Sequence, residues 1–92
     1  MNRVDITEEA WEDINNLPEH LQEECLDTLE RLEQGIIRGH PLDKKGHRDL
    51  RGCFKLYFNN AKHRIVYTKK ENFIIIDEIH PDKWKTSLDY FK

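Results

Sequence analysis

Two short alternating runs joined by turn residues, within residues 50–67, constrain this chain more than any other feature. Apolar and polar side chains alternate in Phe54-Lys55-Leu56-Tyr57-Phe58 and again around Arg64-Ile65-Val66-Tyr67. Asn59-Asn60-Ala61-Lys62 between them is turn chemistry, so the stretch reads as a β-hairpin. A loop of two residues (Asn60 and Ala61) or of four (Asn59 to Lys62) gives the same register: Tyr57 opposite Arg64, Lys55 opposite Val66, Leu56 opposite Ile65. Side chains alternate faces along a strand, so Phe54, Leu56, Ile65 and Tyr67 share one face and Lys55, Tyr57, Arg64 and Val66 the other. The first face needs a covering layer. The second, cationic and aromatic, fits a surface that holds a phosphate and stacks a base. It equally fits the solvated side of an antiparallel sheet, where Lys, Arg and Tyr are common.

The covering layer is legible upstream. Arg3-Val4-Asp5-Ile6 alternates and reads as a first strand entering the same sheet. Thr7 then caps a helix whose early Glu8, Glu9 and Glu12 suit the helix dipole, and Ala10, Trp11, Ile14 and Leu17 form its apolar stripe. Pro18 starts a second helix over residues 19–34, folded back as a hairpin, with Leu21, Cys25, Leu29, Leu32 and Ile36 on its buried face, Leu26 beside them and Gly35 at its end. Residues 36–49 read as a loop carrying Arg38, Lys44, Lys45 and Arg48, with His40 and His47 among them.

Downstream, a tight connection at Lys69-Lys70-Glu71-Asn72 leads to Phe73-Ile74-Ile75-Ile76-Asp77-Glu78-Ile79, the strongest strand signal. Symmetric pairing across it sets Ile65 opposite Ile76, Tyr67 opposite Ile74 and Arg64 opposite Asp77, a carboxylate that would oppose phosphate binding at Arg64. In the tail, Trp84, Leu88 and Phe91 fit a short helix or wrapped segment. The expected fold is α+β, one domain over residues 1–92: an antiparallel sheet in the order β-α-α-β-β-β with a helical hairpin packed on one face. Leu56, Ile65, Tyr67, Ile74 and Ile76 should pack beneath Trp11, Ile14, Cys25, Leu26 and Leu29.

Composition narrows the function. With 37% hydrophobic and 36% charged residues, the chain belongs with globular proteins rather than disordered ones. No apolar run approaches a membrane span and the acidic opening lacks the regions of a signal peptide, so a cytoplasmic protein without membrane association is expected. Cys25 and Cys53 lack C-x-x-C spacing, and the histidines are scattered. Neither a metal site nor a cofactor is expected. His47, His63 and His80 are possible proton-transfer groups. The net charge of −3 hides an asymmetry: residues 1–35 carry 11 acidic against 2 basic groups, residues 36–92 carry 7 against 13. An acidic helical layer and a basic sheet would present cations to a polyanion.

The order strand, two helices, three strands, with Leu50-Arg51-Gly52, Phe54-Lys55-Leu56 and His63-Arg64-Ile65-Val66-Tyr67, resembles the RelE/ParE toxin family of bacterial type II toxin-antitoxin systems over nearly the whole chain. The resemblance implies a small toxin neutralised by a partner antitoxin that covers its active surface. RelE-type members cut messenger RNA in the ribosomal A site, and ParE-type members poison DNA gyrase. In the RelE-like reaction the ribose 2′-hydroxyl attacks the neighbouring phosphate, giving a cyclic phosphate and a free 5′-hydroxyl. The resemblance then implies catalytic roles for Lys55, Arg64, Lys83 and Tyr90, and RNA contacts by Arg51, Tyr57, Lys62, His63 and Lys85, with the ribosome and mRNA as partners. Two departures stand out. Asp82-Lys83-Trp84 occupies the place where Gly-Lys-Arg is common, and Tyr57 stands where RelE-type proteins carry a second strand lysine. A ribosome-dependent endoribonuclease is therefore the first expectation, with a gyrase-directed toxin or a catalytically degenerate antitoxin-binding protein as alternatives.

Overall fold

In the computed structural model, which describes residues 2–42 and 52–81, the chain opens with β1 (Arg3–Ile6) and turns at Thr7 into α1 (Glu8–Asn15). Thr7 makes the junction. Its hydroxyl oxygen accepts from the Ala10 amide at 3.1 Å, capping the helix, and donates to the Ile76 carbonyl at 2.9 Å in the sheet. The second helix, α2 (Glu19–Glu33), starts behind Pro18 and stops at Gly35, whose φ of +78° lets the Ile36 amide reach back to the Arg31 carbonyl at 2.9 Å. The chain continues through β2 (His40–Pro41), β3 (Cys53–Phe58), β4 (His63–Lys70) and β5 (Phe73–Pro81).

The strands lie in the order β1-β5-β4-β3-β2. β3 and β4 pair as the alternation requires, with Tyr57 opposite Arg64 and Leu56 opposite Ile65, across a four-residue turn in which Asn59, Asn60 and Ala61 all have positive φ. Glu24 of α2 accepts from the Asn59 amide at 2.9 Å and so ties this turn to the helical layer.

Three expectations about the sheet need correction. The sheet is mixed, because β1 pairs with β5 in parallel; a tight hairpin forces antiparallel pairing, and none joins these two strands. Within the stretch expected to be loop, His40 and Pro41 pair with Lys55 and Phe54 as an added edge strand, a run too short for any periodicity to reveal. Gly39 permits it. A Cβ there would lie 2.6 Å from Tyr67 Oη and 2.7 Å from the Lys55 carbonyl oxygen, and its bare amide instead donates to Tyr67 Oη at 2.8 Å.

The third correction is the β4–β5 register. The turn is Glu71-Asn72, with Glu71 at a φ of +57°, so Lys70 faces Phe73 and Tyr67 faces Ile76 rather than Ile74. Beyond that Val66 faces Glu78, Ile65 faces Ile79 and Arg64 faces His80, so Asp77 is an extra residue without a partner. Asp77 is not the neighbour of Arg64. Its carboxylate instead accepts from the Thr68 hydroxyl at 2.7 Å. On the α1 side, where β1 has already ended, Asp13 accepts the Ile79 amide at 3.0 Å and leaves that donor satisfied.

The core lies between the helices and one face of the sheet, with Ala10, Ile14, Cys25, Leu29 and Leu32 above Leu56, Phe58, Ile65, Tyr67, Ile74, Ile76 and Ile79. Trp11 and Leu26, expected inside, are 43% and 41% exposed, and Ile36, expected on the buried face of the second helix, lies beyond its end and is 66% exposed. α1 is short, so Ala10 and Ile14 are its only buried residues, and Trp11 points about 100° away from Ala10 around the axis. On α2 the buried set Leu21, Cys25, Thr28, Leu29 and Leu32 completes the stripe without Leu26. Burial pushes the Cys25 thiol up to about 12, which keeps it a neutral packing group rather than a nucleophile.

Candidate functional site

The face of the sheet turned away from the helices carries the polar halves of β3, β4 and the end of β5. Cross-strand pairing sets them in rows. Tyr57, Arg64 and His80 form one row across three strands, and Lys55, Val66 and Glu78 form the next. Lys55 Nζ stands 5.6 Å from the centre of the Tyr57 ring, a cation over an aromatic face on the same side of one strand. His80 Nε2 lies 4.0 Å from Glu78 Oε1, and His80 Nδ1 lies 2.9 Å from the Pro81 carbonyl oxygen. Farther along, Cys53 Sγ and Thr68 Oγ1 meet at 3.8 Å, and Thr68 leads to Asp77.

Arg64 is the centre of this arrangement. Its Nε is buried without a hydrogen-bond partner, and among the described residues no carboxylate forms an ion pair with it. A buried guanidinium donor left without an acceptor is costly unless a ligand supplies one. Its planar fork matches a phosphate.

The other sequence candidates divide. Lys55, Tyr57 and Arg64 come together on the open face. Lys62 is exposed in the β3–β4 turn, at the edge of that face. His63 belongs to the opposite side: it pairs with the buried Phe58, its ring centre lies 5.3 Å from that of Phe58, and its Nδ1 is 3.1 Å from Asn59 Nδ2. Arg51, Lys83, Lys85 and Tyr90 lie outside the described residues.

His80 and Glu78 join the site although the simple register kept them from it. Their signal was present. Asp77-Glu78, two polar residues between Ile76 and Ile79, breaks the two-residue period of a regular strand, which is how an inserted residue shows in a sequence. Elsewhere, a cleft of about 350 Å³ between the α2 C-terminus and the sheet, lined in part by Arg38, Phe54, Tyr67 and Lys69, belongs to the helical side of the molecule. There burial raises the Tyr67 phenol above its ordinary value, with the Gly39 amide partly offsetting the shift.

No protein-family description matches this chain, and no curated protein sequence matches it either. Solved structures do. The isolated RelE toxin of E. coli superposes over 100% of both chains with a TM-score of 0.66 at 16% identity. The toxin-antitoxin complex RelBE2 from Mycobacterium tuberculosis matches with a TM-score of 0.69 at 19% identity, covering 87% of this chain and 96% of that one. The YoeB dimer from Staphylococcus aureus matches with a TM-score of 0.61 at 22% identity, over 86% and 94% of the two chains. The fold of this chain is that of the RelE toxins.

Proposed function

We propose that this protein is the toxin of a bacterial toxin-antitoxin pair and that it acts as a ribosome-dependent mRNA endoribonuclease. The observation that carries the reading is the gathering of Lys55, Tyr57 and Arg64 on the face of a RelE-type sheet turned away from the helices, with Arg64 opposite no carboxylate among the described residues. RNA supplies its own nucleophile in the ribose 2′-hydroxyl, so the protein must position the scissile phosphate and stabilise the charge that builds on it. Arg64 binds that phosphate. Lys55 adds a second cation against the developing charge, and Tyr57 offers an aromatic face for an unstacked base. Lys83 and Tyr90 are proposed to complete the site from the C-terminal segment. The partner is a cognate antitoxin that covers this face, a proposal supported by RelE-type folds solved as toxin-antitoxin complexes.

The test is cleavage on programmed ribosomes with RNA ends mapped by primer extension. Wild type should cut in the A site. Arg64→Ala and Lys55→Ala should each lose about 10²-fold or more in rate, the scale of removing one donor from a transition-state charge site. A second reading, a gyrase-directed toxin without nuclease chemistry, is favoured by the Glu78 carboxylate in the same rows, which repels a phosphate. Intact mRNA together with inhibited DNA supercoiling would establish that alternative and discard the first.

A further inference from the structure

The extra residue at Asp77 decides which face the end of β5 serves. Ile74 and Ile76 point into the core, and strict alternation would send Glu78 and His80 there too. The added residue shifts the phase, so Ile79 fills the core and His80 emerges opposite Arg64. Directly opposed residues on neighbouring strands hold their Cβ atoms about 4.5–5.5 Å apart. A phosphate held by Arg64 is therefore within reach of the imidazole.

The imidazole is also oriented. The Pro81 carbonyl can only accept, so the 2.9 Å contact places the ring proton on Nδ1 and leaves a lone pair on Nε2 of the neutral ring. The Glu78 carboxylate, 4.0 Å from Nε2, is placed to stabilise the imidazolium that forms when this nitrogen takes a proton. One nitrogen is fixed by a backbone acceptor, and the other carries the lone pair and lies beside the Glu78 carboxylate. His63 has neither property, since it lies among the helix-covered residues beside Phe58.

We propose that His80 is the general base of this protein, an assignment that rests on the RNA-cleavage reading given above. The proton of the ribose 2′-hydroxyl passes to His80 Nε2 as the O2′–P bond forms. The P–O5′ bond breaks, its electron pair leaves on O5′, and O5′ takes a proton from water. The products are a 2′,3′-cyclic phosphate and a 5′-hydroxyl, and the imidazolium then returns its proton to the hydroxide so formed.

Single-turnover cleavage on programmed ribosomes tests the assignment with His80→Asn and His80→Gln. Asn can keep the bond to the Pro81 carbonyl, and neither amide is basic. Both variants should cut about 10² to 10⁴-fold more slowly than wild type, the span of general base catalysis, while thermal unfolding and co-sedimentation with ribosomes stay unchanged. The defect should persist on an mRNA carrying sulfur in place of the bridging 5′-oxygen, a leaving group that needs no acid. Rescue by that sulfur would make His80 an acid and overturn the assignment. Equal rates in wild type and variants, or loss of ribosome binding together with cleavage, would overturn it while leaving the nuclease reading in place. Intact mRNA with wild type itself would overturn both.

Discussion

Gly39 shows how one missing side chain shapes the site. A methyl group there would sit 2.6 Å from Tyr67 Oη and 2.7 Å from the Lys55 carbonyl oxygen. One of these is the end of a nearly buried ring, and the other is backbone of the strand that carries the proposed cationic residue. Neither can withdraw cheaply. Gly39→Ala should therefore push β2 away from β3, break the 2.8 Å bond from the Gly39 amide to Tyr67 Oη, and cost about 1–3 kcal/mol, the range for overpacking a filled site. Urea unfolding measures the loss, and a midpoint unchanged from wild type would mean that β2 does not need this approach. Tyr67 itself was legible as a core residue from the alternation of its strand. That its hydroxyl is used to hold a glycine 28 positions away was not, because no periodicity records a contact between a phenol and a backbone amide.

Between elements, what could be read from sequence was whatever local geometry controls. The β3–β4 register follows from a short turn and a two-residue alternation, and it is observed as expected, with Lys55, Tyr57 and Arg64 on one side. The β4–β5 register depended on the same reasoning and failed by three residues, two because the turn sits on Glu71-Asn72 and one because Asp77 is inserted, so that His80 rather than Asp77 lies beside Arg64. Parallel pairing of β1 with β5 depends on where the helical hairpin delivers the chain, a long-range outcome that local pattern does not encode. Thr7 joins these levels. Its hydroxyl caps α1 and bonds the Ile76 carbonyl at the edge of the irregularity, with the Asp77 carbonyl also 3.2 Å away. Thr7→Ala should lower stability by about 1–2 kcal/mol, the upper half of the cost of losing a helix cap, whereas Thr7→Ser should retain most of it. Chemical denaturation of the three proteins side by side decides this; an alanine variant as stable as wild type would show that the cap and the sheet contact are dispensable.

At the scale of the whole molecule, the charge asymmetry becomes an argument about distance. The helical layer is acidic, with Glu23 and Glu30 exposed on α2, while Lys55 and Arg64 stand on the far side of the sheet. A net charge of −3 would by itself discourage a polyanion. Screening separates the two layers: the Debye length is about 30 Å at 0.01 M ionic strength but only about 8 Å at 0.15 M. In dilute salt a nucleic acid approaching the sheet still senses the helical carboxylates, and near physiological salt it senses chiefly the groups it touches. Reversing Glu23 and Glu30 to lysine should therefore tighten binding of a single-stranded RNA severalfold at 0.01 M salt and leave it nearly unchanged at 0.15 M. Arg64→Ala should weaken binding at both, because a direct phosphate contact is not screened by intervening solvent. Fluorescence anisotropy across a salt series measures all three proteins. If the lysine reversals strengthen binding equally at both salt concentrations, RNA is bound along the helices, and the open face of the sheet is not its principal contact.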